Sequence, residues 1–167
     1  MNRKTNIRRL TDQLGDEDAV VREQSRNELI QSGGHDVTRA LVTALIDPRT
    51  QVRWEAAKAL QVIADPVAAP ALMHVLDDED VDVRWVAAEA LIALGQVGLL
   101  TVLSGLMKRA GSIAFCTSAH HVLHEMNEYG DSVAEVLESL EHSEPAVTAP
   151  PAAYKALIAL NEPLNVA

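Results

Sequence analysis

The segment "AHHVLHEMNE" (119–128) gathers three histidines and two glutamates within ten residues. On a helix, His120 and His124 are four apart, as are His121 and Glu125, so each pair shares a face. Glu128 lies one turn beyond His124. Histidines at this spacing can chelate zinc, with a carboxylate as third ligand. The protease pattern HExxH is missing, however, because Glu125 is followed by Met126, Asn127 and Glu128. His121, His124 and Glu125 are therefore the candidate ligands, but no metal and no other cofactor is expected. Cys116, the single cysteine, stands four residues before His120, the spacing of a thiol–imidazole pair. It has no evident third partner, so a structural role is expected. "QSGGHD" reads as a turn between helices rather than a phosphate loop, and no catalytic residue is assigned.

The other chemically rich residues are the two tryptophans of the 167-residue chain. Trp54 lies in "VRWEAAKAL" (52–60) and Trp85 in "VRWVAAEAL" (83–91), stretches that agree at seven of nine positions. The register extends further. Val-Arg recurs at 21–22, 52–53 and 83–84, in steps of 31. Leu29, Leu60 and Leu91 keep that step, and so do Asp16, Asp47 and Asp78. A fixed period of this length marks a repeat architecture.

Each unit reads as two helices. Leu41/Leu45 and Leu72/Leu76 place apolar pairs on one face of the first helix, and Leu10/Leu14 and Leu103/Met107 continue that series. Val52, Ala56, Leu60 and Ile63 form the apolar stripe of the second. Asp47-Pro48, Asp65-Pro66, Gly33-Gly34 and Gly95 punctuate the helices. A shift of 32 aligns "FCTSAHHVLHEM" with "VRWVAAEALIAL" and predicts a degraded fourth unit over 113–142, with "DSVAEVLESLEH" as its paired helix. In that alignment His120 falls on core Ala88 and should pack inside. The three prolines of 143–151 predict a linker, followed by a C-terminal helix and tail over 152–167. Aromatics make up only 3% of the chain, so the core must rest on Ala, Leu, Val and Ile.

These units resemble the short HEAT-like repeats of the phycobilisome-lyase type. Pro70-Ala71-Leu72, Leu76-Asp77, Val83-Arg84, Ala87-Ala88, Ala90-Leu91 and Gly95 carry the likeness. The first unit departs from it, with Ser25-Arg26 where Ala-Ala stands in the next two. The resemblance implies an all-α, right-handed α-solenoid (an α-α superhelix) of about four short HEAT-like helical hairpins over 1–142. It also implies that Asp16/Arg22, Asp47/Arg53 and Asp78/Arg84 form a ladder of charge-assisted hydrogen bonds at the turns. The Val-Arg helix is expected to line the concave face, exposing the first, second, fifth and about the ninth residue after each arginine. Those positions are Glu23, Gln24, Asn27 and Gln31; Trp54, Glu55, Lys58 and Val62; Trp85, Val86, Glu89 and Ala93; and Thr117, Ser118, His121 and Glu125.

Such stacks carry many unrelated roles. The expected role is a non-catalytic scaffold that holds a protein or peptide against the concave face, anchored by Trp54 and Trp85. A bilin-handling subunit is the first alternative. A metal enzyme is the second, and here a comparison with deoxyhypusine hydroxylase is informative. Its iron ligands are His-Glu pairs, whereas Trp54 and Trp85 stand where histidine would be needed. A HEAT-like DNA glycosylase would require a basic groove, yet 14 Lys+Arg against 24 Asp+Glu give a net charge of −10. No nucleic-acid or membrane partner is expected. The start of the chain lacks a signal-like apolar run, which points to a cytoplasmic protein, monomeric or homodimeric.

Overall fold

The computed structural model describes residues 2–161. It is an α-solenoid with no strand among the described residues. Helices α1 (Arg3–Gln13) and α2 (Ala19–Ser32) form the first hairpin, and α3 (His35–Ala44) and α4 (Thr50–Ile63) the second. Helices α5 (Ala69–Val75) and α6 (Val81–Ala93) form the third, α7 (Gln96–Arg109) and α8 (Ile113–Glu125) the fourth. The even helices α2, α4, α6 and α8 pack side by side in one layer. The odd helices form the other, with α3 resting on the 3₁₀ turn Pro66–Ala68 that leads into α5.

The repeated apolar letters build the core. Val52, Val83 and Phe115 are fully buried, as are Ala56, Ala87 and Ala119 one turn on, and Leu60, Leu91 and Leu123 beyond them. The 32-residue shift into the fourth unit is thus correct. Phe115 fits a valine column because α7 offers Gly105 opposite it, where a Cβ would lie 2.6 Å from the Phe115 ring. Closer still, a Cβ on Gly98 would lie 1.9 Å from the Leu91 carbonyl oxygen, so α7 can meet α6 only through a glycine at that position.

Several expectations for the C-terminal third need correction. The partner of α8 is α7, so the fourth hairpin spans 96–125 and α9 (Asp131–Glu141) opens a fifth with α10 (Pro145–Asn161). In α7, Leu99, Leu103 and Leu106 are buried while Met107 is 40% exposed, because the extra residue of this unit turns the apolar face. The linker over 143–151 is mostly helix. Pro145 occupies the first helical position, where proline costs no hydrogen bond. Pro150 and Pro151 lie inside α10, and burial of Ala149, Ala153 and Ala156 against its neighbours outweighs their poor propensity. The layer order reverses here: α9 lies on α8, and α10 lies on α7 and α9, so the C-terminal helix caps its own stack. The tail, 162–167, lies outside the described residues.

The ladder exists in altered form. Each repeated arginine donates to the backbone carbonyl, not the carboxylate, of the aspartate six residues earlier: Arg22 to Asp16 at 2.8 Å, Arg53 to Asp47 at 3.0 Å, Arg84 to Asp78 at 2.7 Å. The aspartate side chain instead accepts the N–H two residues on and closes the turn. Arg53 also grips the turn aspartate of the next unit, donating to the Asp78 carboxylate at 2.8 and 2.9 Å. Asp78 thereby holds the Arg53 pKa above the usual guanidinium range. For Arg22 the equivalent carboxylate, Asp47, is occupied by Arg49, whose hydrogen bonds hold Asp47 below the usual carboxylate range. For Arg84 the equivalent position is Ala110. Cys116 replaces the fourth arginine and keeps its bond, donating its thiol to the Ala110 carbonyl, again six residues earlier.

Arg53→Ala leaves the largely covered Asp78 carboxylate without its cation and should cost about 3 kcal/mol of folding stability, the lower end of the range for breaking a buried pair. Arg84→Ala loses carbonyl bonds only and should cost about 1 kcal/mol. Equal urea midpoints for the two variants would contradict this ranking. Gly98→Ala should cost about 3 kcal/mol through overpacking, whereas Gly111→Ala, with open space around its Cβ, should melt close to wild type.

Candidate functional site: the groove of the even helices

Helices α2, α4 and α6 expose the N-terminal halves of their outer faces to a groove of about 850 Å³. Trp54 and Trp85 both line it, and so do Glu23, Lys58 and Asp82. Both indoles expected on the exposed face of the Val-Arg helices line this one groove. Trp85 is 55% exposed, while Trp54 is half-buried against the core.

The four expected columns of exposed residues do not behave alike. The first column is open or half-open: Glu23, Trp54, Trp85 and Thr117. The fifth is also accessible, with Asn27 exposed and Lys58, Glu89 and His121 half-buried. Gln31, Val62, Ala93 and Glu125 are exposed. The second column departs from expectation, because Glu55, Val86 and Ser118 are buried and only Gln24 is exposed. Gln24 lies on α2, which has no even helix before it, whereas Glu55 on α4 reaches back to α2.

Glu55 shows what the column does. Its carboxylate accepts from Arg26 at 2.5 Å and lies 3.6 Å from Arg22, both on α2. Its side chain is 5% exposed. It is a buried clamp between units rather than a free binding group. The signal was present in the sequence. An arginine takes the place of the second alanine only in the first unit, at Arg26, and glutamate takes the second column only in the next. Arg22 is the groove's one imperfect donor: its Nε is buried without a hydrogen-bond acceptor.

Trp85 is held in place from the fourth unit. The His121 ring stacks on it, with centroids 4.2 Å apart and planes 25° apart. His121 Nε2 lies 2.8 Å from Glu89 on α6, one turn beyond Trp85. One face of the indole is thereby covered, and its ring is fixed through a carboxylate–imidazole–indole chain linking α6 and α8. Spacing alone could not reveal this contact, since it depends on two helices 32 residues apart coming into register.

The histidine cluster is dispersed. His121 faces Trp85, while His120 and His124 have ring centroids 6.3 Å apart. His124 meets only adjacent Glu125, at 3.4 Å. Among the described residues, no group of three or more His, Cys, Asp or Glu side chains could hold a metal. His120 does not pack inside, as its alignment with Ala88 implied. It is 37% exposed and lies 3.5 Å from Glu141 on α9, the helix that follows α8 where the layer order reverses. His120 and Cys116 both border a second, apolar cavity of about 580 Å³ beside the start of α10. Burial pushes the Cys116 thiol up, opposite to the shift an activated nucleophile needs. No helix among the described residues is long and apolar enough to cross a membrane.

Ordered hairpins in two layers with a groove along one of them define an α-solenoid of helical repeats. The pattern of HEAT repeats matches residues 7–92 and 38–113, together more than half of the chain, which belongs to the HEAT-repeat family. Among solved structures, it is similar to the complex of CpcE and CpcF of phycocyanin lyase from Nostoc sp. PCC7120. That match has a TM-score of 0.53 and 21% identity, and covers 94% of this chain and 65% of that one. The protein thus spans about 65% of the length of that relative, and the likeness is one of fold. An engineered protein of known crystal structure matches at a TM-score of 0.44 and 19% identity, over 96% of this chain and 80% of that one. No curated protein sequence matches it.

Removing His121 should free Trp85 without unfolding the stack. In a Trp54→Phe background, His121→Ala should raise acrylamide quenching of Trp85 and speed its local rotation. Unchanged quenching and anisotropy would show that the stack does not order the indole. Glu55→Ala should behave as a core lesion, costing about 3 kcal/mol because Arg22 and Arg26 lose their shared carboxylate.

Proposed function

We propose that this protein is a non-catalytic binding module that holds a protein or peptide partner in the groove of its even helices. The observation that carries the reading is Trp85: a large aromatic 55% exposed, yet fixed by His121 and Glu89. Exposed apolar surface that is already ordered loses little side-chain entropy on binding, and tryptophans in such settings are typical interface hot spots. Trp54 lines the same groove. Lys58 and the first-column Glu23 border it and would set the polarity of the contact. The chain's net charge of −10 favours a partner that is basic or neutral where it touches. No cofactor enters this reading.

The fold likeness to a phycocyanin-lyase complex keeps a bilin-handling role as the competing reading. One preparation separates the two. Wild-type protein and a Trp54→Ala/Trp85→Ala variant are used as affinity baits, with circular dichroism confirming that both fold. The expected result is a protein retained by wild type and lost by the variant, with no absorbance shift when a free bilin is added. A folded variant that keeps the partner would overturn the groove assignment, and a Trp-dependent bilin shift would favour the competing role.

A further inference from the structure

We infer that the groove takes an arginine side chain of its partner, laid on the open face of Trp85 with its charge matched by Asp82. This rests on the binding-module reading above and specifies its chemistry. His121 covers one face of the Trp85 indole, and the residue's exposure of 55% leaves the other to solvent. Asp82 stands three residues before Trp85 on α6, so both side chains share one face of the helix and both line the groove. The Asp82 backbone N–H is used by Asp80, but its exposed carboxylate has no partner among the described residues. An indole face beside an unmatched carboxylate attracts a cation through the ring quadrupole and the charge together.

The groove's own cations do not fill this place. Arg26 is bound to Glu55, and Arg22 is spent on the carbonyls of Asp16 and Glu17. Lys58 is drawn to Gln61, toward the C-terminal end of α4, away from the N-terminal turn of α6 where Asp82 sits. A guanidinium fits better than an ammonium. It is planar, stacks on aromatic faces, is weakly hydrated and can meet a carboxylate bidentately. Trp54, one repeat away on the neighbouring helix, supplies a second apolar wall for the side chain's methylenes.

The test uses three small probes: the N-acetyl methylamides of arginine, of citrulline and of lysine, added to the whole ¹⁵N-labelled protein. The two indole N–H signals report the groove directly. The arginine probe should shift the Trp85 indole signal saturably at concentrations up to tens of millimolar, the range expected of so small a ligand. The citrulline probe, of the same shape but uncharged, should bind about tenfold more weakly, and the lysine probe should fall in between. Asp82→Asn, an exposed change that should leave the fold intact, should weaken the arginine probe several-fold. No saturable shift, equal binding of arginine and citrulline, lysine binding as well as arginine, or indifference to Asp82→Asn would each overturn the inference. A partner protein still held through Trp85 in such a case would leave the groove reading standing and remove only the arginine from it.

Discussion

One guanidinium ties the middle of this stack together. Arg53 is 8% exposed and donates to the carbonyls of Asp47 and Pro48 in its own unit and to the carboxylate of Asp78 in the next. It therefore fixes a turn and a neighbour at once. A solenoid has no long-range core, and each unit is held only by those beside it. A group that couples adjacent units thus sets the angle between them and the shape of the groove they share. At the other two positions the coupling is diverted. Arg49 takes the acceptor that Arg22 would have used, and Ala110 offers Arg84 none. Glu55 restores the link between the first two units by clamping Arg26 and lying close to Arg22.

This division explains which residues are left for function. Val52, Ala56 and Leu60 and their equivalents fill the core. The second column is buried at Glu55, Val86 and Ser118, and Glu55 is spent on the preceding unit. Trp54, Lys58 and Trp85 of the first and fifth columns line the groove together with Asp82 of the N-terminal turn of α6, and Glu89 and His121 stand beside it. Of these, Glu89 and His121 are already engaged in ordering Trp85.

Much of this was legible in the sequence, for a physical reason. The 31-residue step records identical packing demands repeated along the stack, so the core columns and the face bearing both indoles could be read from Val-Arg, Ala-Ala and Leu alone. The alignment of Phe115 and Cys116 survived the loss of the motif because Phe115 stays buried in the valine column and Cys116 keeps the bond of the arginine to the carbonyl six residues earlier. Contacts between units were less legible. Whether Glu55 is free or clamped depends on Arg26, 29 residues away, and the stacking of His121 on Trp85 depends on the angle between α6 and α8. The start of the C-terminal helix was placed too late because proline content describes local propensity. The burial of Ala149, Ala153 and Ala156 against a reversed layer is a tertiary effect.

Two apolar surfaces compete to be the working face, and side-chain oxidation can tell them apart. Trp85 marks the groove, while Ile113 and Val147, 84% and 66% exposed, mark the cavity beside α10. Hydroxyl-radical footprinting of the protein with its bound partner would report on both at once. The expected result is a several-fold fall in Trp85 oxidation with Ile113 and Val147 unchanged. Protection of Ile113 and Val147 with Trp85 still fully reactive would contradict the groove as the binding face.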